Sequence, residues 1–219
     1  MSAGIGEALL NLLFPPRCPL CHSYTEKKGG WCQVCLAKTI KVRRVPVEVS
    51  GQNIFRDVWA LGEYHSVLQD LIKGLKYKGQ RAKLPYLHTF AAAAAQNLPA
   101  DFWQGKTVVP VPLAAAKEKA RGFNQAELIF RPLAKIQGSH WLNALERSRE
   151  TRPQAGLSRQ ERRENLQGAF KLAADVQGRK ILLVDDILTT GTTLRECAGE
   201  LLRQGAAEVT ALVLASDRK

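Results

Sequence analysis

The sequence predicts an α/β fold, in which a mostly parallel sheet is flanked by helices and preceded by a small cysteine-rich module. Residues 181–184 are four consecutive branched apolar residues, a pattern typical of a strand buried inside a parallel sheet. Residues 106–112 form a second short apolar run that ends in prolines, and a segment with helical spacing follows each run. Two pairs of cysteines before residue 36 predict the small module.

A polar segment follows the 181–184 strand. Asp185 and Asp186 come directly after it, where we expect the strand to end, and a helix with one apolar face is predicted over 194–204. Between them lies a loop of hydroxyl residues around one glycine: Thr189, Thr190, Gly191, Thr192 and Thr193. Unpaired N–H groups at a helix start, the helix dipole and threonine hydroxyls together favour a bound phosphate. The glycine lets the backbone close tightly on that ligand.

The two aspartates indicate a ligand that is more than a phosphate, because carboxylates repel an anion. A ribose 5-phosphate offers hydroxyls to Asp185 and Asp186 while its phosphate occupies the loop. A pyrophosphate attached to that sugar would bring Mg²⁺. The segment closely resembles the phosphoribosyl pyrophosphate (PRPP) motif of the type I phosphoribosyltransferases. The alternative is an ordinary buried strand with a polar turn.

The composition indicates a folded and strongly basic protein. A chain of 219 residues, 45% of them hydrophobic, is long enough for one good core and a small accessory module. Lys and Arg number 32 against 20 Asp and Glu, and the resulting net charge of +12 suggests a polyanionic partner. Nucleic acid, an acidic membrane surface and phosphorylated small molecules all have the required charge. The alternative is a generally basic protein without such a partner.

No segment approaches the roughly 20 apolar residues that a membrane-spanning helix needs. The apolar run at 5–14 contains Glu7, has no basic residue before it and is followed by two prolines. We therefore expect a short amphipathic helix that packs on the body rather than a signal peptide. The expected location is cytoplasmic.

The two cysteine pairs predict a structural zinc site. Cys18, Cys21, Cys32 and Cys35 form two C-x2-C pairs with ten residues between them. Four thiolates at this spacing can hold one tetrahedral ion and leave it no open coordination position. Disulfides are the alternative, but a cytoplasm keeps thiols reduced. Cys197 lies on the apolar face of the predicted last helix and is interpreted as a core residue.

A basic stretch at 73–83 is a candidate nucleic-acid surface. It carries five positive charges around an aromatic residue, and the candidate contacts are Lys73, Lys76, Lys78 and Arg81. Such a stretch can follow a phosphate backbone and stack a base, which favours single-stranded DNA as a partner. The alternative is a solvated basic face on the predicted 67–76 helix.

A second basic segment follows the 106–112 strand. Lys117, Lys119 and Arg121 lie in what we interpret as a glycine-containing loop that opens a helix ending near residue 137. Beside a ribose phosphate, such a loop is placed to hold pyrophosphate with Mg²⁺. Arg121 suits this role because a guanidinium can contact two phosphate oxygens at once.

Residues 147–163 are rich in arginine and show no clear period, which is typical of a mobile loop. Above an active site this segment would be a lid that excludes water. Above a groove it would bind nucleic acid through Arg159, Arg162 and Arg163.

Several segments in this order and spacing resemble the ComF family over nearly the whole chain, from about residue 12 to the end. They read LLFPPRCPLC, a second CxxC, LIKGLKYKG, VVPVPL, RGFNQAELI, TRPQAGLSRQERRENLQGAF and VDDILTTGTT. The resemblance implies a four-cysteine zinc ribbon at 1–45 and a type I phosphoribosyltransferase-like domain at 46–219. It also implies a role in natural competence and the use of external DNA.

The sequence leaves functions of different classes open. The first is a DNA-handling protein whose basic surface binds single-stranded DNA and whose 185–193 segment binds PRPP or a related ribose phosphate. The second is a working phosphoribosyltransferase, in which Asp185 and Asp186 hold the ribose as positive charge develops while Arg121 and Mg²⁺ stabilise the departing pyrophosphate. A scaffold that uses the ribbon for protein contacts is a third.

Overall fold

The computed structural model describes residues 14–47, 54–148, 161, 166 and 168–218. Nearly all of the helix expected at 5–14 lies outside the described residues, as do Arg159, Arg162, Arg163 and most of the 147–163 segment. For Lys78 the structure describes the backbone but not the side chain.

The secondary-structure elements follow in the order of the chain. The strands are β1 (Ile40–Arg44), β2 (Val58–Glu63), β3 (Lys106–Pro110), β4 (His140–Trp141), β5 (Leu145–Arg147), β6 (Phe170–Leu172), β7 (Lys180–Leu188) and β8 (Glu208–Ser216). The helices are α1 (Gln33–Thr39), α2 (Ser66–Lys78), α3 (Leu84–Ala95), α4 (Ala115–Arg121), α5 (Gln125–Ile136) and α6 (Thr192–Arg203), with a 3-10 turn at Arg81–Lys83.

A six-stranded sheet in the order β1-β2-β8-β7-β3-β4 forms the centre of the molecule. Every neighbouring pair is parallel except β1 and β2, which are antiparallel. The predicted α/β fold with a mostly parallel sheet is therefore confirmed. Because the central strands are parallel, their carboxyl ends meet at one edge, where open α/β sheets bind ligands. We call this the carboxyl edge and the opposite one the amino edge.

Helices cover both faces of the sheet. Alternate residues of β7, such as Leu182 and Val184, pack in a cluster with α2, α3 and α5 on one face. The intervening residues Ile181 and Leu183 pack with α6 and with the small β5–β6 hairpin on the other face. Burial on both faces explains the continuous apolar run that predicted this strand.

Strand β7 is longer than the sequence indicated. We expected it to end before the acids, but Asp185 and Asp186 lie inside it, because its pairing with β8 continues to Leu188. Burial alternates over these last residues, so the polar side chains did not interrupt the backbone ladder. The helix after the loop starts at Thr192, two residues earlier than expected.

The segment after β3 is also more regular than predicted. Lys117 and Lys119 lie on the short helix α4 and not in a loop. The helix ends at Gly122, which has a φ of 74° and closes the turn into α5. Asn124 caps α5 by accepting from the backbone N–H groups of Ala126 and Glu127.

The cysteine-rich module packs directly on the start of α3. The indole Nε1 of Trp31 donates to the carbonyl of Tyr86 at 3.0 Å, and the Tyr86 hydroxyl donates to the carbonyl of Arg17 at 3.2 Å. A Cβ at Gly29 would lie only 2.4 Å from the Cβ of Pro85. The module and α3 therefore share one interface and one hydrophobic cluster.

Candidate functional site

The aspartate pair lies near the carboxyl end of β7, and its two side chains leave opposite faces of the strand. Asp186 is 4% exposed and lies on the face covered by α2. Asp185 lies on the α6 face and accepts a 2.8 Å hydrogen bond from the Asp186 N–H through its own Oδ1. The pair therefore reaches both sides of the strand end.

The two carboxyl groups affect each other electrostatically. Although part of the residue stays exposed, burial of its carboxyl group and then the negative charge of Asp186 raise the pKa of Asp185 to about 8. The positive charge of Lys76 opposes this rise. The raised pKa favours the protonated form of the Asp185 carboxyl group.

Lys76 is a member of this site. Its ammonium lies 3.1 and 3.3 Å from the two carboxylate oxygens of Asp186, and its side chain is 22% exposed. The sequence predicts Lys76 as part of the nucleic-acid surface. In the structure its ammonium contacts Asp186. Sequence spacing gave no signal for this pair, whose members are 110 positions apart.

The Thr/Gly loop leads into the amino terminus of α6. Gly191 has a φ of 77°, and a Cβ there would lie 3.0 Å from Val47 and 3.3 Å from Leu188. Only glycine suits this left-handed backbone conformation, and apolar side chains lie close to it on one side. Thr190 Oγ1 lies 3.0 Å from Thr192 Oγ1 and 3.5 Å from the Thr192 N–H, the outer limit of a hydrogen bond.

Four cations interact with one another, and one of them, Lys76, contacts Asp186. Burial, followed by the positive charges of Arg147, Arg121 and Lys76, lowers the pKa of Lys117. These side chains come from α4, β5 and α2. An anion bound between them would relieve their mutual repulsion, which is the electrostatic pattern of a phosphate or pyrophosphate site.

Arg147 is the site residue that sequence reasoning missed. It lies at the end of β5, and its guanidinium stacks over the ring of Phe170 at 5.5 Å. The only signal was its place at the start of the arginine-rich 147–163 segment. Arg121, which we did assign, donates through Nη1 to Gln125 Oε1 at 3.1 Å and is thereby oriented along the start of α5.

The candidate nucleic-acid surface adjoins the same site. Arg81 stacks over the ring of Phe123 at 5.1 Å and reaches Gly122, the residue that follows Arg121. Lys73 and Lys119 are exposed. The two stretches that sequence reasoning treated separately thus form one basic surface, which we call the α2–α4 surface and define by Lys73, Lys76, Arg81, Lys117, Lys119 and Arg121.

The four predicted zinc ligands are brought together. The sulfur atoms of Cys18, Cys21, Cys32 and Cys35 all lie within 4.8 Å of one another. The Cys21 and Cys32 sulfurs are 3.7 Å apart, which is too far for a disulfide and fits two ligands of one tetrahedral ion. Cys18 and Cys35 are buried, so the site anchors the module from inside. The donor set fits structural zinc.

Two family models match the chain. Residues 90–219 match the model described as phosphoribosyl transferase domain, and residues 9–47 match the double zinc ribbon domain. Competence protein F of Haemophilus influenzae is 34% identical over 209 residues, which are 89% of this chain and 82% of that protein. The chain belongs to the ComF family. It therefore has a type I phosphoribosyltransferase fold with an amino-terminal zinc ribbon.

Another ComF-family relative matches a shorter region. The DNA utilization protein YhgH of Escherichia coli strain K12 is 45% identical over 103 residues, so the match spans about half of either chain (47% of this one and 45% of YhgH). Among solved structures, adenine phosphoribosyltransferase from Thermoanaerobacter pseudethanolicus covers 84% of this chain at 14% identity, with a TM-score of 0.40. Within the described residues, no helix has the length and apolar character required to cross a bilayer.

Proposed function

We propose that this ComF-family chain is a competence-related protein that binds PRPP or a related ribose phosphate at the carboxyl edge and single-stranded DNA on the α2–α4 surface. The observation that carries the proposal is the meeting of the aspartate pair, the α6 amino terminus and the four cations at one edge of the sheet. The names of the H. influenzae and E. coli relatives support a role with DNA. We further propose residues 1–45 and 46–219 as the two domains.

The proposal gives each part of a PRPP molecule a place in the site. The 5-phosphate takes the loop of Thr189, Thr190, Gly191, Thr192 and Thr193, where helix-end N–H groups and hydroxyls are donors. The ribose hydroxyls take Asp185 and Asp186, and the pyrophosphate takes the side of Lys117 and Arg121. The aspartate oxygens are hard donors that fit Mg²⁺, which would neutralise part of the pyrophosphate charge.

Ligand binding requires a change at Lys76. Its ammonium now engages both carboxylate oxygens of Asp186, which are the atoms that a ribose hydroxyl would meet. A bound pyrophosphate offers Lys76 another anionic partner a short distance away. We therefore expect Lys76 to leave Asp186, at least in part, when the sugar phosphate binds.

The ligand site is tested by thermal unfolding with PRPP and Mg²⁺. Binding to the folded state alone raises the melting temperature, and we expect an Asp185→Asn, Asp186→Asn double variant to lose that rise. Lys135→Gln, an exposed change on α5, is the matched control and should keep it. A parent protein whose melting temperature does not respond to PRPP would contradict the proposal.

DNA binding is tested by its dependence on salt and on charge. Affinity for a single-stranded oligonucleotide should fall steeply between about 50 and 200 mM salt, because phosphate contacts release counterions. Lys73→Gln with Arg81→Gln should weaken binding at every salt concentration. Lys135→Gln with Arg179→Gln removes equal charge from exposed positions elsewhere and should have little effect. Equal effects of the two double variants would rule out this surface.

Catalysis is a second candidate, favoured by the cations beside the aspartate pair. Transfer of the ribose 5-phosphate breaks the bond between its anomeric carbon and pyrophosphate, and negative charge then grows where Lys117 and Arg121 lie. Asp185 and Asp186 would hold the sugar while positive charge develops on it. Pyrophosphate release with a purine or pyrimidine base, absent from the double asparagine variant, would support this function. No release with any base would leave only the binding function.

A further inference from the structure

A polar cavity lies at the amino edge of the sheet, far along the strands from the aspartate pair. It encloses about 310 Å³ below the 99–104 turn. The strand register places Lys106 beside Lys180 and Lys180 beside Glu208, and Thr210 lies one alternate residue further along β8. These side chains leave the same face of the sheet and line one pocket, which we call the amino-edge pocket.

Most charges around the amino-edge pocket are already paired. Arg56 contacts Glu208 Oε2 at 2.8 Å, and Arg44 contacts Asp57 at 3.3 Å. Among the other lining residues, Lys106 and Lys180 are positive and Asp101 is negative. The pocket therefore keeps a net positive charge near β3 and β7, and burial lowers the pKa of Lys106. The part of the pocket near Lys106 and Lys180 therefore suits an anionic group.

Two buried polar atoms on β8 lack hydrogen-bond partners within the part of the chain that the structure describes. Glu208 Oε1 is one of them, although the other carboxylate oxygen of Glu208 pairs with Arg56. Thr210 is 2% exposed, and its hydroxyl also has no partner among the described residues. Unpaired buried polar groups are rare because they are costly, so these two atoms point to a molecule that donates N–H or O–H groups to them.

Two aromatic side chains also line the pocket, in which Lys180 lies between Lys106 and Glu208 in the strand register. Trp59 and Phe102 line the pocket, with their ring centroids 6.0 Å apart in an edge-to-face arrangement. Lys106 and Glu208 lie on strands separated by β7 alone, so their backbones are roughly 10 Å apart. A ligand that reaches from Glu208 to Lys106 needs a donor group for Glu208, a flat apolar-faced middle and an anionic group for Lys106.

We propose that the amino-edge pocket binds a nucleoside monophosphate whose base carries an exocyclic amino group. The amino group donates to Glu208 Oε1 and Thr210 Oγ1, the base lies along the aromatic lining, and the phosphate binds Lys106 and Lys180. Carboxylates accept hydrogen bonds from the cytosine amino group in this way. The site is separate from the carboxyl edge and does not depend on the function proposed there.

Two nearly identical nucleotides test the proposal. CMP presents an amino group where UMP presents a carbonyl oxygen, which would face Glu208 Oε1 with no proton between them. We expect calorimetry on the full chain to show CMP binding at least about tenfold tighter than UMP, a difference of one hydrogen bond to a charged acceptor. Saturating ribose 5-phosphate, which occupies the carboxyl edge, should leave CMP binding unchanged.

Variants of the chain test whether CMP binds in the amino-edge pocket. Thr210→Val keeps the shape of the side chain and removes its hydroxyl, so it should weaken CMP binding. Lys180→Gln is a surface change that should also weaken CMP binding, and it tests the site if Thr210→Val does not fold. Glu208→Gln offers an amide that can donate to a carbonyl, so it should narrow the preference for CMP over UMP. The Asp185→Asn, Asp186→Asn variant should bind CMP as the parent does. Equal binding of the two nucleotides, or CMP binding that ribose 5-phosphate abolishes, would overturn the proposal.

Discussion

The ion pair between Lys76 and Asp186 is the contact that most directly joins the ligand site to the basic surface. Its members are 22% and 6% exposed, so loss of one leaves the other charge poorly solvated. We expect Lys76→Met to lower the free energy of unfolding by about 2 kcal/mol, somewhat less than for a fully buried pair. Asp186→Asn should recover part of that loss, because the double variant has no unpaired charge.

The matched control for this cycle is Lys73→Met, one turn earlier on α2 and exposed. It should change the free energy of unfolding by no more than about 0.5 kcal/mol. Urea denaturation of the parent, the two single variants, the double variant and the Lys73→Met control measures all of these effects. Additive losses from Lys76→Met and Asp186→Asn would show that the two side chains do not interact.

The pH dependence of stability tests the environment of Asp185. Its pKa is about 8 in the folded protein and near 3.8 when unfolded, so the folded state binds more protons between these values. This carboxyl group therefore favours the folded state at low pH, and its contribution is lost as pH rises toward 8. We expect the difference in unfolding free energy between the parent and Asp185→Asn to change over this range and to level off above pH 8. A difference that stays constant from pH 4 to 8 would contradict the raised pKa.

At the residue scale, sequence reasoning identified the aspartates and the Thr/Gly loop because strand, acid pair, glycine and helix are adjacent in the chain. It did not foresee the contact between Lys76 and Asp186 and it missed Arg147, since both act through contacts with residues distant in sequence. Charge spacing along a helix shows which side chains share a face. It does not show which carboxylate that face meets after folding.

At the scale of elements, the glycine between β7 and α6 decides whether the loop can form. Gly191→Ala meets both a φ of 77° and contacts at 3.0 Å and 3.3 Å, whereas Gly138→Ala has a φ of 66° with no atom within 4 Å. Both variants should lose about 1 kcal/mol to backbone strain. Gly191→Ala should lose further stability because of its close contacts, and it should bind ribose 5-phosphate more weakly than the parent does. Gly138→Ala should show neither of these additional effects. Equal losses of stability and unchanged binding would show that this loop is not crowded and not a phosphate site.

The zinc ribbon is an element whose stability depends on its metal. Metal analysis should find about one zinc per chain, and Cys18→Ser with Cys21→Ser should remove it. Because Trp31 and Gly29 pack on α3, we expect the loss of zinc to expose the Trp31 indole, measurable as a red shift in fluorescence. Cys197→Ser, on buried α6, is the control that should retain zinc. Full zinc content in the double variant would contradict the assignment of ligands.

Helix and strand ends show where local patterns were sufficient. Helix α5 ends within about one residue of its expected end near residue 137, because apolar spacing and the following turn mark it. Helix α4 was missed even though alanine, lysine and glutamate favour helices, because its positive charges were interpreted as an anion-binding loop. The end of β7 depended on pairing with β8, a contact that local sequence does not contain.

At the scale of the whole molecule, the topology places two candidate binding sites at opposite edges of the sheet. Parallel strands bring the acids, the loop and four cations to the carboxyl edge, and they bring the amino-edge pocket to the opposite one. The α2–α4 surface meets the carboxyl edge through Lys76, which contacts Asp186. The net charge of +12 suggested a polyanionic partner from the sequence, but the position of the charge around the ligand site needed the fold.

The most direct test of the central claim is a titration of the isotope-labelled protein with ribose 5-phosphate, followed by backbone amide NMR. We expect the largest shifts at Gly191, Thr192, Thr193 and Leu194, with smaller ones at Asp186, because the phosphate is proposed to bind at the amino terminus of α6. Ribose without phosphate should leave these amides unmoved. Shifts that spare the α6 amino terminus, or that ribose alone reproduces, would contradict the account.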